Sequence, residues 1–130
     1  MKKLLILFFL ICIPLSVDAR EPKHLQHFEK EYQECWCKLN NGKTEYRLPD
    51  KSRVDCVTET HAIEFDFAKK WAESVGQSLY YAEILQKKPG IVLISERGKK
   101  DQKFIKRVTT VAQRNGITLW VITPNDIIVE

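Results

Sequence analysis

Two short runs of alternating residues, joined by a tight turn, constrain the fold of this chain most strongly. The runs cover residues 53–58 and 61–67, and the second reads HAIEFDF, with large apolar residues at every other position. A period of two is typical of β-strands. If Glu59-Thr60 forms a two-residue loop, the strands pair with Asp55 opposite Glu64. A three-residue loop would shift the register by one and separate these carboxylates.

Helical and strand-like patterns flank this hairpin. The predicted order is a helix over 22–38, strands over 43–48, 53–58 and 61–67, a helix over 69–86, a strand over 91–94, a helix over 100–114 and a strand over 117–122. Pro89-Gly90 is expected to stop the second helix. The inward positions are predicted to be Leu25, Phe28, Tyr32 and Cys35 in the first helix and Trp71, Val75, Leu79 and Ala82 in the second. This order predicts an α/β domain whose mixed sheet is antiparallel in its first three strands and parallel in its last.

The first residues read as a targeting signal. Lys2 and Lys3 precede a mostly apolar run over 4–15, and a small residue follows at Ala19. The run is shorter than the roughly 20 residues of a membrane-spanning helix. The sequence therefore predicts a secretory signal peptide over 1–19, a single domain over 20–130, and export to the periplasm or the exterior, with no stable membrane insertion after cleavage.

Three cysteines remain after the predicted cleavage site: Cys35, Cys37 and Cys56. Export implies an oxidising compartment, where a disulfide persists. One bridge from the Cys35/Cys37 pair to Cys56 is expected, and the odd count leaves one thiol over. Cys35 and Cys37 are too close together for the usual zinc knuckle.

The basic residues are concentrated in the C-terminal half, although the net charge is only +4. They are Lys87, Lys88, Arg97, Lys99, Lys100, Lys103, Lys106, Arg107 and Arg114. Such a run is compatible with a polyanionic partner and equally with a solvated helix face.

Two carboxylates that face each other across a hairpin repel, so their charge needs a partner. A hard divalent cation is one candidate, because Mg²⁺ is commonly held by one or two carboxylates. An ion pair between Arg53 and Asp66, opposite each other in the same register, is the other.

The predicted second helix places four polar side chains on one face: Lys70, Glu73, Gln77 and Tyr81. Because this helix follows the third strand directly, Lys70 in its first turn could reach the carboxylates or a phosphate. The same face could also simply be solvated.

These residues carry a resemblance to a known family. An αβββαβ core with an acid on the second strand (Asp55), Glu64-Phe65-Asp66 on the third, and a Gln77-xxx-Tyr81 pattern on the next helix resembles the PD-(D/E)XK, or restriction-endonuclease-like, nuclease superfamily. The spacing of Gln77 and Tyr81 resembles the QxxxY motif of an exonuclease branch. The resemblance covers roughly residues 31–94. The same stretch also resembles small uncharacterised bacterial members of the superfamily.

The resemblance implies roles for these side chains. Asp55 and Glu64 would hold Mg²⁺ (or Mn²⁺), which activates a water and stabilises charge on a scissile phosphate. Glu31 would match an acid on the first helix that some members use as an additional ligand. Gln77 and Tyr81 would orient the active-site groups or the substrate backbone.

One position departs from the family pattern, because Asp66 stands where the pattern has lysine. Some members carry an acid there and others move the lysine to the neighbouring helix, for which Lys70 is the candidate. The resemblance thus implies a metal-dependent nuclease acting on DNA foremost. The alternative is a non-catalytic nuclease-fold module that binds nucleic acid or a protein partner through its basic C-terminal half.

Overall fold

The structure, a computed structural model, describes residues 27–127, so the predicted signal peptide and the start of the predicted first helix lie outside the described residues. The elements are α1 (Glu29–Leu39), β1 (Lys43–Arg47), β2 (Arg53–Val57), β3 (His61–Phe67), α2 (Trp71–Leu85), β4 (Lys88–Ile94), α3 (Gln102–Arg114) and β5 (Thr118–Ile122). Within residues 27–127, no helix has both the length and the apolar character needed to cross a bilayer.

The five strands form one sheet in sequence order, β1-β2-β3-β4-β5. β1, β2 and β3 are antiparallel neighbours, whereas β3, β4 and β5 are parallel. Each parallel pair is connected through a helix, as a parallel pairing requires. The predicted α/β architecture, with a mixed sheet flanked by helices, is therefore confirmed.

Helices cover both faces of the sheet, so the core has two layers. On one face, α1 contributes Tyr32 and Cys37 to a cluster with Ile63 and Phe65 of β3. On the other, α2 and α3 cover the remaining side chains of the central strands. β3 is consequently buried along nearly its whole length. Its two carboxylates, Glu64 and Asp66, lie inside the fold and not on a solvated face.

Two predicted element boundaries are wrong. α1 begins at Glu29 instead of residue 22, and Phe28, predicted to face inward, precedes the helix and is 80% exposed. Pro89-Gly90 does not stop α2 but lies within β4. α2 ends at Leu85, one residue from the predicted end, because Gln86 adopts the left-handed conformation (φ 53°). Gly90 suits a strand here because a Cβ would stand 2.9 Å from the Trp120 ring.

The buried face of α2 differs from the predicted one. Its buried residues are Ser74, Ser78, Tyr81 and Ala82, whereas Leu79, predicted to face inward, is 37% exposed. The two serines satisfy their own hydroxyls, since Ser74 Oγ donates to the carbonyl of Trp71 and Ser78 Oγ to that of Val75. Small side chains of this kind let the helix pack closely against the sheet. That packing turns Tyr81 toward the carboxylates of β3.

A disulfide joins Cys37 of α1 to Cys56 of β2, and Cys35 is the free thiol. The expected bridge from the Cys35/Cys37 pair to Cys56 is therefore confirmed. Gly42 packs directly against the bridge, where a Cβ would lie 2.5 Å from the sulfur of Cys56. The bridge fastens α1 to β2 one residue from Asp55.

Candidate functional site

The register of the β2–β3 hairpin brings Asp55 and Glu64 together. Cys56 pairs with Ile63 and Val57 with Ala62. The amide of Thr58 donates to the carbonyl of His61, which closes the predicted two-residue loop. The predicted register is confirmed, and it continues to place Asp55 across from Glu64.

At these two residues the side chains replace the regular strand ladder. The amide of Phe65 donates to Asp55 Oδ2 at 2.8 Å, and the amide of Asp55 approaches Glu64 Oε1 at 3.4 Å. Each carboxylate thus has one oxygen oriented by a backbone N–H. The other oxygen of each accepts no hydrogen bond from a backbone or side-chain N–H of residues 27–127.

The other side of Asp55 is irregular as well. In the β1–β2 ladder, Thr44 pairs with Cys56 and Tyr46 with Val54, while Glu45 between them has a positive φ of 54°. The carbonyl of Asp55 instead accepts a hydrogen bond of 2.6 Å from Gln33 Nε2 of α1. Non-glycine residues with positive φ are uncommon and concentrate at functional sites. The hydrogen bond from Gln33, a residue that the sequence did not single out, fixes the backbone of Asp55 within this irregular pairing.

The two carboxylates perturb each other's protonation. Burial, and then the negative charge of Asp55, raises the pKa of Glu64 well above its usual range. Burial also raises the pKa of Asp55. Within residues 27–127, no lysine, arginine or histidine nitrogen lies within 4.0 Å of either group. The pair therefore carries a charge that the described residues leave uncompensated, and a shared proton or a cation would relieve it.

The ion pair between Arg53 and Asp66, the alternative to a metal, does not form. Arg53 Nη1 instead binds Glu45 Oε2 at 3.0 Å, at the surface of the sheet edge. The two side chains project away from the core, whereas Asp66 is only 5% exposed. Arg53 consequently does not neutralise the carboxylates of β3.

Asp66 lies beside a second group of charges. Burial, and then the charge of Glu29, raises the pKa of Asp66 to about 7, while Lys70 opposes this shift. Lys70 also opposes the rise in the pKa of Glu29, which burial and Asp55 cause. Lys70 thus faces Asp66 and Glu29 from the start of α2, without an ion pair to either within 4.0 Å. It approaches the acidic region, but on the side of Asp66.

The two residues of the predicted QxxxY pattern lie over the acidic pair. Tyr81 is 7% exposed, and burial, followed by the charge of Glu64, raises its pKa. A hydrogen bond with Gln77 opposes the shift. Tyr81 therefore lies near Glu64, and Gln77 contacts Tyr81.

Glu31 does not join this group, so its predicted place as an additional ligand is wrong. Its carboxylate accepts the amide of Phe28 at 2.7 Å and contacts His27 Nδ1 at 3.3 Å, which caps the start of α1. The acid of α1 whose charge reaches Asp55 and Asp66 is Glu29. Glu29, Gln33 and Cys37 form one stripe at four-residue spacing, and this stripe faces β2.

The donor set of the pair suits a hard divalent cation. Among residues 27–127, no three His, Cys, Asp or Glu side chains converge into a complete metal site. Mg²⁺ does not require three, because it is commonly held by one or two carboxylates and retains several waters. Asp55 and Glu64 supply oxygen ligands, and no cationic side chain of residues 27–127 contacts them. A bound ion would replace the proton that the two carboxyl groups share in their mutual hydrogen bond. These two residues could therefore hold Mg²⁺ or Mn²⁺.

The raised pKa values predict how stability depends on pH. In EDTA, we expect the melting temperature to fall as pH rises from about 4 to about 7. The folded protein holds the proton of Asp66 up to about pH 7, whereas the unfolded chain releases it near its usual pKa of 3.8. Each pH increment in this window therefore favours unfolding.

Thermal denaturation followed by circular dichroism, at about pH 5 and about pH 8, measures this effect. The Asp66→Asn variant is the matched control, and its melting temperature should change less over the same interval. A wild-type protein that gains stability between these pH values would contradict the raised pKa values of Asp55, Glu64 and Asp66.

Comparison with protein-family models, with curated proteins and with solved structures finds no match to this chain.

Proposed function

We propose that this chain is a metal-dependent phosphodiesterase that cleaves nucleic acid, DNA foremost. One observation carries the proposal: Asp55 and Glu64 meet inside the sheet, each oriented by a backbone amide, and no cationic side chain in the described part of the chain contacts them. Such an arrangement costs stability, because both groups lose hydration and repel each other. A cost of this kind is typical of functional sites.

Asp55 and Glu64 would hold Mg²⁺ or Mn²⁺. When bound, the ion lowers the pKa of a water and stabilises negative charge on the scissile phosphate. Tyr81, near Glu64 and hydrogen-bonded to Gln77, would with Gln77 orient the active-site groups or the substrate backbone. Asp66, with a pKa of about 7, can accept a proton near neutral pH, and the exposed Lys70 can meet a phosphate oxygen.

The predicted export supplies the setting for this activity. Residues 1–19 have the pattern of a secretory signal peptide, and Cys37 and Cys56 form a disulfide that an oxidising compartment preserves. We therefore propose that the protein acts on nucleic acid in the periplasm or outside the cell.

A non-catalytic nucleic-acid-binding module is the second candidate function. It is favoured by Asp66, which takes the place of the lysine in the family pattern, and by Lys70, which makes no ion pair with Asp55 or Glu64. The two candidates differ in one respect that can be measured. Only the phosphodiesterase cleaves the nucleic acid that it binds.

A cleavage assay tests the proposal. Purified protein is incubated with linear duplex DNA, circular DNA, single-stranded DNA and RNA, in Mg²⁺, in Mn²⁺ and in EDTA. We expect cleavage of DNA in either metal and none in EDTA. Cleavage of the circular substrate would identify internal cutting, and cleavage of linear DNA alone would identify cutting from ends. A folded protein that cuts no substrate in either metal would contradict the proposal and support the non-catalytic module.

A further inference from the structure

A group of cationic side chains lies near the carboxyl ends of β3 and β4. They line a hollow of about 430 Å³ in which every charged lining side chain is positive. This basic patch consists of Lys69, Arg97, Lys99, Lys100 and Lys103, with Phe104 among them. It brings together residues from the end of the β3–α2 connection, from the loop after β4 and from the first turn of α3.

Arg97 is held in one orientation within the basic patch. Its Nη2 and Nε donate to Asp101 Oδ1 at 2.7 and 3.0 Å, and its own amide donates to Asp101 Oδ2. Asp101 is 2% exposed, whereas the Arg97 side chain is 46% exposed. A buried carboxylate thus anchors a guanidinium that still faces solvent. Arginine fixed in this way loses little conformational entropy when it binds an anion.

An aromatic ring supports the other cations. The cationic groups of Lys103, Arg107 and Arg97 lie 4.9, 5.8 and 6.0 Å from the centre of the Phe104 ring. The negative face of an aromatic ring attracts cations at these distances. The ring therefore helps hold several positive charges side by side, where their mutual repulsion would otherwise separate them.

Two further hollows lie between the basic patch and Asp55. Lys69 and Arg97 also line a larger hollow, of about 670 Å³, which reaches Phe28 and Glu29. Phe28 and Glu29 in turn line a third hollow, of about 560 Å³, which contains Asp55. The middle hollow borders each of the other two through these shared residues, and it is also lined by the acids Glu96 and Asp101. β2 and β4 are two strand spacings apart, ~10 Å. One strand of a nucleic-acid duplex carries a phosphate every ~3.4 Å along its axis, so a few consecutive phosphates would span this distance.

We infer that the basic patch is a second phosphate-binding site, which holds the backbone of a nucleic acid whose strand passes these hollows to Asp55, the less buried member of the acidic pair. The inference rests on the proposed function for its ligand, and it adds where the strand lies and which residues grip it. Spaced lysines and an anchored arginine suit consecutive phosphates, since backbone contacts need charge without base recognition. The acidic pair alone would repel the strand, and the basic patch offsets that repulsion.

Binding of a fluorescein-labelled DNA oligonucleotide, followed by fluorescence anisotropy in EDTA, tests this inference. The Lys99→Gln/Lys103→Gln variant is compared with Lys38→Gln/Lys88→Gln, which removes the same charge. Lys38 lies in the last turn of α1, and Lys88 begins β4 beside the start of β3, so both are at the opposite end of the sheet. All four lysines are exposed, so both variants should fold, which circular dichroism verifies.

We expect the patch variant to bind single-stranded DNA about tenfold more weakly and to lower the slope of log K against log salt by about 1.4. The control variant should change both quantities much less. Equal losses in the two variants would show that only net charge matters, and no loss in the patch variant would place the strand elsewhere. Either result would overturn the inference.

The outcome separates this inference from the proposed function. If wild-type protein cleaves DNA but the patch variant binds normally, only the strand path is wrong. If wild-type protein binds DNA through the basic patch but cuts nothing, the inference stands and the phosphodiesterase proposal fails.

Discussion

The Glu64→Gln variant is expected to lose metal-dependent cleavage by about a thousandfold, the scale on which removal of one preorganised electrostatic group acts. In EDTA the same variant should be more stable than wild-type protein. The substitution removes a buried carboxyl that faces Asp55, and it keeps nearly the same shape. Because burial raises the pKa of Glu64, the wild-type protein must take up a proton in order to fold near neutral pH, whereas the amide needs none. We expect a gain of ~1 kcal/mol, or about 4 °C in melting temperature for a domain of this size.

Opposite changes in activity and stability would identify a functional group. The matched control is Glu83→Gln, an exposed acid on α2, which should alter neither quantity. Cleavage is measured on the preferred DNA substrate in Mg²⁺, and stability by thermal denaturation in EDTA. A variant that is destabilised by several degrees, or that still cuts at the wild-type rate, would assign Glu64 a structural role.

Removal of the disulfide should have the second large effect. We expect the Cys37→Ser/Cys56→Ser variant to lose ~3 kcal/mol of unfolding free energy, because the bridge closes a loop between residues 19 positions apart. That loss corresponds to a fall of roughly 10–20 °C in melting temperature. The bridge also fastens α1, which carries Gln33, to β2 beside Asp55, so cleavage should weaken at temperatures where the variant is still folded.

The remaining cysteine provides the control for this experiment. Cys35→Ser replaces the free thiol with a side chain of similar size, and its effect on stability should be small. Thermal denaturation of both variants, with and without a reducing agent, gives the comparison. Reduction should lower the melting temperature of wild-type protein toward that of the double variant. Equal melting temperatures for wild-type protein and the double variant would show that packing alone joins α1 to β2.

The hairpin is the part of the fold that the sequence predicts best. Alternation over β3 and the short loop at Glu59-Thr60 determine which residues pair, because a shift by one would expose Ile63 and Phe65. The confirmed pairs Cys56–Ile63 and Val57–Ala62 follow from that constraint. The continuous apolar character of β4 likewise predicts a strand that is covered on both faces.

The orientation of the helices was harder to predict, because apolar spacing alone does not fix it. In α2, Ser74 and Ser78 are buried and Leu79 is partly exposed, since the serine hydroxyls bond to carbonyls of their own helix. A prediction that counts serine as a solvent-facing residue therefore assigns the wrong face of α2 to the contact with the sheet. In α1, the exposed Phe28 had the same effect on the prediction.

The acid of the first helix could not be chosen from the family resemblance, which implied Glu31. The disulfide at Cys37 fixes the face of α1 that meets β2, and that face carries Gln33 and Glu29. The sequence offered the cysteine as a signal, but not which of Cys35 and Cys37 forms the bridge. Glu45 had no signal at all, because its positive φ follows from the irregular pairing around Asp55.

Calorimetric titration of the protein with Mn²⁺ at about pH 8, where the carboxyl groups release their protons most readily, tests the central claim most directly. The claim is that Asp55 and Glu64 together hold a divalent cation. It predicts saturable binding of one ion to wild-type protein, and at least about tenfold weaker binding to Glu64→Gln. Folded wild-type protein that binds no Mn²⁺, or a variant that binds it equally well, would contradict the claim.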